Sequence, residues 1–137
     1  MTNQYKSFPI GLRFLTFLIG LAFLFWLSFE DDQIWLPTMM ASVASLLWAF
    51  RISYSRTIHT LKDIVWQTWI GIIAALAVTP LAVILIFFKS GLHNHVAPDF
   101  TPAQILFLLQ RTPHWAGVGL LIGLGSSIGR MTGAAKK

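Results

Sequence analysis

Four apolar stretches, near residues 10–29, 34–52, 64–88 and 114–129, set the terms on which this chain folds. A helix needs about 20 residues to cross a hydrocarbon core ~30 Å thick, with about 17 as the lower bound. The first and third stretches clear that length easily, and the second and fourth reach it with their flanking residues. Inside lipid every backbone N–H and C=O must be satisfied within its own segment, so isolated runs of this kind resolve into helices. The expected fold is all-α: a single four-helix transmembrane domain over 1–137.

Composition removes the competing fold classes. Hydrophobic residues make up 55% of the chain and charged residues 11%, less than half of the ~25% usual in soluble proteins. A water-soluble domain of 137 residues exposes too large a share of its area to hide that much apolar surface, and a disordered chain would be far more polar. The net charge of +5 does not point to nucleic acid, because the basic residues stand in ones and twos between apolar runs rather than on one polar face. With no cysteine there is no disulfide framework, thiolate metal site or thiol nucleophile. The first apolar run exceeds a signal-peptide core and leads into Glu30-Asp31-Asp32 without a small-x-small cleavage pattern, so it is expected to be retained.

Local signals sharpen the boundaries. Thr60-x-x-Asp63 has the form of a capping box opening the third helix. Thr112-Pro113 supplies an N-cap and a first-turn proline for the fourth, and Asp31 and Asp32 place negative charge at the positive end of the second. Pro80 lies inside the third run, where it should kink the helix. In the loop before the fourth run, Thr101-Pro102-x-Gln104 predicts a short capped helix over about 102–111, too short to span and apolar enough to lie along the interface.

Orientation follows from the basic residues, since short loops rich in Lys and Arg stay on the cytoplasmic side. Lys6, Arg13, Arg51, Arg56, Lys62, Arg130, Lys136 and Lys137 fall on one side, against Lys89 and Arg111 on the other, so both termini are expected inside. Tryptophan rings favour the headgroup level. On this topology Trp26, Trp35 and Trp115 lie near the outer boundary, and Trp48, Trp66 and Trp69 near the inner one.

Small and polar residues recur at helical spacing. Thr38, Ser42 and Ser45 share a stripe of the second helix; Gln67, Gly71, Ala74 and Ala75 share one on the third; Gly119, Gly123 and Ser126 share one on the fourth. Lipid gives helices no hydrophobic reason to associate, so close backbone approach and hydrogen bonds must hold them, and small residues permit both. These stripes are the expected packing faces, leaving Leu121, Leu124 and Ile128 to lipid or a neighbouring subunit.

Candidate chemistry is sparse. His93, His95 and Asp99 in the outer loop are metal-ligand types, but their spacing matches no established site, and no metal is predicted. His114, at the head of the last helix, is the candidate axial ligand for a haem or chlorophyll-type pigment, though no cofactor is predicted beyond lipid contacts. No Asp, Glu, Lys or His falls deep in a span, where proton-coupled transport would place one. No serine is served by an intramembrane base, so catalysis is not expected. The chain reads as a non-catalytic membrane subunit or accessory protein acting through contacts with other membrane subunits or with itself. A small oligomeric channel with a Ser/Thr/Gln-lined path, and a pigment scaffold, are the other readings. A bacterial inner membrane is the expected location, with an internal energy-transducing membrane as the alternative.

Overall fold

The computed structural model describes residues 9–28, 33–54, 58, 60–93 and 100–134, with the side chains of 93 and 132–134 excepted. Among them the chain is all-helical, in the order α1 (Ile10–Leu27), α2 (Trp35–Tyr54), α3 (Leu61–Leu76), α4 (Val78–His93), α5 (Pro102–Gln110) and α6 (Thr112–Ala134). Four stretches are long and apolar enough to cross a membrane: α1, α2, the α3–α4 rod and the α5–α6 rod. Asp31 and Asp32, read as a favourable charge before α2, lie outside the described residues.

The capping motifs take the form that their spacing implies. Thr60 N–H donates to Asp63 Oδ2 at 2.9 Å while Asp63 N–H donates to Thr60 Oγ1 at 3.3 Å, so two otherwise orphaned donors are satisfied at the start of α3. Thr101 and Gln104 repeat the exchange at α5, with Pro102 in the first turn.

Both prolines inside the longer rods mark breaks. Pro80 lacks the N–H that would serve Leu76 four residues back, and the rod is interrupted at Ala77, although Ala77 N–H still reaches Ile73 O at 3.0 Å. Pro113 stands in the same relation to Leu109, and α5 meets α6 across Arg111 alone. The last apolar helix therefore starts at Thr112 and runs to Ala134, longer at both ends than the 114–129 stretch. Thr112, expected as its N-cap, is the first helical residue, and its hydroxyl donates to Thr79 Oγ1 at 3.2 Å, joining the two rods beside their interruptions at Ala77 and Arg111.

The α3–α4 rod is central. α6 packs along α3, and α2 crosses both α3 and α4. The apolar core lies where α2, α4 and α5 converge, on Ala41, Val78, Ala82, Ile86, Phe100 and Leu108. Ala41 and Ala82 are fully buried, which lets α2 and α4 approach closely enough for Ile86 and Phe100 to fill the remaining space. α1 stands apart: it packs along none of the other helices, and of its 18 residues only Trp26 is buried.

Candidate functional site

Two features distinguish the bundle: a backbone-to-backbone contact between α3 and α6, and a groove between α2 and α6 whose floor is α3. The contact centres on three glycines. A Cβ built on Gly71 would lie 2.5 Å from Gly119 O, one on Gly119 would run into Gly71 O and Ala75 Cβ, and one on Gly123 would lie 2.7 Å from Thr68 Cα. Distances below 3.0 Å leave no room for even a methyl group, so the approach exists only because these positions carry hydrogen. By contrast, Gly117, Gly125 and Gly129 of the same helix face open space.

The groove widens toward the end of the bundle that carries Arg51, Lys62 and Arg130. Its narrow part has a cavity volume of about 80 Å³, walled by Ser42, Ser45 and Ala49 of α2, by Gly71, Ala74 and Ala75 of α3, and by Trp115, Val118 and Ile122 of α6. The wide part, about 560 Å³, continues past Leu46 and Ile122 to Ser53, Tyr54, Gln67, Ser126, Gly129 and Arg130. Four residues, Leu46, Ala49, Gly71 and Ile122, line both parts, so the two form one trough.

Polar side chains line its wide end. Gln67 is buried and its Nε2 donates to Ser53 Oγ at 2.8 Å, linking α3 to α2. Arg130 Nη1 donates to Ser53 O at 3.0 Å, linking α6 to the same residue of α2 from 77 positions away. Ser53 is thus the meeting point of three helices. Neither Ser53 nor Arg130 was singled out by sequence for this role; their separation hides it, and only a basic residue near one helix end and a serine near another were visible.

Not every stripe residue works between helices. Thr38 Oγ1 donates to Ile34 O at 2.8 Å and Ser42 Oγ to Thr38 O at 2.7 Å, so both hydroxyls are satisfied within α2. Ser126 and Ser127 both donate to Gly123 O, at 2.9 and 2.8 Å. Ser45 differs: it is 3% exposed, lines the narrow part of the groove, and its Oγ has no hydrogen-bond partner.

The structure also corrects the expectation for Lys89. Read as a loop residue just beyond a span ending at 88, it lies within α4 and is 1% exposed. Its Nζ sits 4.8 Å from the centroid of Trp26, whose ring also stacks edge-on against Phe23. α4 continues one turn further than the apolar run because a lysine stem is itself apolar and the aromatic face of Trp26 accommodates the ammonium group. Trp26 is accordingly buried against protein, whereas Trp35, Trp48, Trp66 and Trp69 are about half exposed and Trp115 packs against the core.

Among the candidate ligands, His114 is exposed and lines a shallow hollow with Arg111, Trp115 and Val118. The side chains of His93, His95 and Asp99 lie outside those described. Among the described residues no three His, Cys, Asp or Glu side chains gather as metal ligands would. A search of protein-family models found no match to the chain, and neither curated proteins nor solved structures matched it.

Proposed function

We propose that the chain is a non-catalytic subunit of a membrane assembly, and that α1 is the helix through which it engages its neighbour, either a different membrane protein or a second copy. The observation that carries this reading is the exposure of α1: 17 of its 18 residues are not buried, and Phe14, Phe17, Leu24 and Phe25 are each more than 60% exposed. Lipid tails accept such a surface, but a helix held at one end alone gains no fixed position from them. α2, α3 and α6 are held together by the glycine contact and the Ser53 junction, whereas α1 packs along none of the other helices.

The topology within this proposal has both termini on the cytoplasmic face, with α5 at the outer surface and a bacterial inner membrane as the setting. The distribution of Lys and Arg supports that orientation. A reporter fused at each end, read for the compartment in which it is active, tests the orientation directly; opposite compartments would overturn it. The partner reading is tested by photo-crosslinking from Phe14, Phe17 and Leu21 in intact membranes, followed by native mass spectrometry after gentle extraction. Discrete adducts from these three positions are expected, with far fewer from Leu121. A lone monomer without adducts at any α1 position would overturn the proposal.

A further inference from the structure

We propose that the groove between α2 and α6 binds one anionic phospholipid, with its phosphate beside Arg130 and an acyl chain laid along α3 from Ser53 toward Ser42. Three independent observations converge on that occupant.

The first is shape. Ser42 to Tyr54 spans twelve residue steps of α2, or about 18 Å along the axis, close to the ~15 Å depth of one leaflet of the hydrocarbon core. The walls over this length are almost wholly apolar, and the floor is built of Gly71, Ala74 and Ala75, whose small side chains leave the trough open. An acyl chain entering from the headgroup level fits a trough of that length. A transmembrane helix, about 10 Å across, does not fit its narrow part of about 80 Å³.

Charge supplies the second. The wide end carries Arg130, a groove wall, and the same end of the bundle holds Arg51, Lys62 and the carboxylate Asp63, so among the described residues cations outnumber the acid there. Arg130 is held at the groove wall by the hydrogen bond from its Nη1 to Ser53 O. A guanidinium has five donors in a fixed fork, a geometry suited to phosphate oxygens.

The third is the order of polarity along the groove. A glycerophospholipid presents charge and ester oxygens, then hydrocarbon, and the groove presents Arg130 and the Ser53 hydroxyl at its wide end, then Phe50, Ala49 and Leu46 further along. The two sequences of polarity run in the same direction.

The test uses the full-length protein purified in mild detergent and titrated with phosphatidylglycerol or phosphatidylcholine of identical chains, with bound lipid counted by native mass spectrometry. Phosphatidylglycerol is expected to bind at least about fivefold more tightly, the preference conferred by one basic residue near the headgroup. Arg130→Gln should abolish that preference. Gly129→Leu should weaken binding of both lipids by filling the groove; an added Cβ there meets nothing within 4 Å, so the variant keeps the fold even if Arg130→Gln does not. Glycerol phosphate, which has the anion without the chains, should not compete. Equal retention of the two lipids, binding unaffected by Gly129→Leu, full competition by glycerol phosphate, or a change of oligomeric state in Gly129→Leu as the sole effect would each overturn the proposal.

Discussion

Gly71 and Gly119 meet so closely across the α3–α6 interface that the carbonyl oxygen of each occupies the place where a side chain on the other would begin. The contact is reciprocal, and Gly123 extends it one turn to Thr68. Without hydrophobic driving force in lipid, such an approach gains dispersion energy over many backbone atoms, and each added methyl group forces the helices apart.

Gly119→Ala and Gly71→Ala should therefore each destabilise the bundle by about 1–3 kcal/mol, the range for overpacking a tight interior. Gly117→Ala, where an added Cβ meets nothing within 4 Å, should leave stability unchanged or slightly raised. Unfolding in mixed micelles of increasing denaturing detergent, followed by tryptophan fluorescence, separates the three variants. Equal behaviour would contradict the geometry.

Gln67→Leu and Ser53→Ala probe the junction of three helices. The Gln67–Ser53 bond, buried and 2.8 Å long, should contribute about 0.6 kcal/mol, and at most about 1.7, as interhelical hydrogen bonds in membranes do. The double variant should cost less than the sum of the two single ones. Full additivity in a double-mutant cycle would show that the bond carries no net stability.

Thr60→Ala should fray the start of α3. It removes the acceptor for Asp63 N–H and the donor to Asp63 Oδ2, a loss of about 1 kcal/mol for a capping threonine. Amide hydrogen exchange at Asp63 and Ile64 should accelerate about fivefold, while exchange at Ala74 and Ala75 stays as it was.

Lys89→Met and Trp26→Leu test the attachment of α1. Because the chain contains no cysteine, spin labels at Gly20→Cys and Gly91→Cys report a single distance. An added Cβ at either glycine meets nothing within 4 Å, so the labels do not disturb packing. Either substitution should broaden that distance distribution, because a desolvated cation–aromatic contact contributes about 2 kcal/mol. An unchanged, narrow distribution in both would place the attachment elsewhere.

What could be read beforehand divides by range of interaction. Four apolar stretches and the Thr60–Asp63 and Thr101–Gln104 capping boxes lie within a few residues of themselves, so periodicity and spacing suffice to find them. Spacing also puts Gly119 and Gly123 on one face of α6, yet it says nothing of which helix they meet. The Arg130–Ser53 bond joins residues 77 apart, and the burial of Lys89 depends on where Trp26 of another helix comes to rest. Both are tertiary outcomes with no local signal. The break at Ala77 is intermediate: Pro80 announces a disturbance, and the missing donor to Leu76 displaces it by three residues toward the start of the rod.

The isolation of α1 bears on how the protein is built during synthesis. In a polypeptide inserted helix by helix, α1 is in the bilayer before α4 is made, and the contact between Trp26 and Lys89 forms only after α4 has arrived. The contacts at Gly71 and Ser53 join α2, α3 and α6 without α1, although α1 is made before all three.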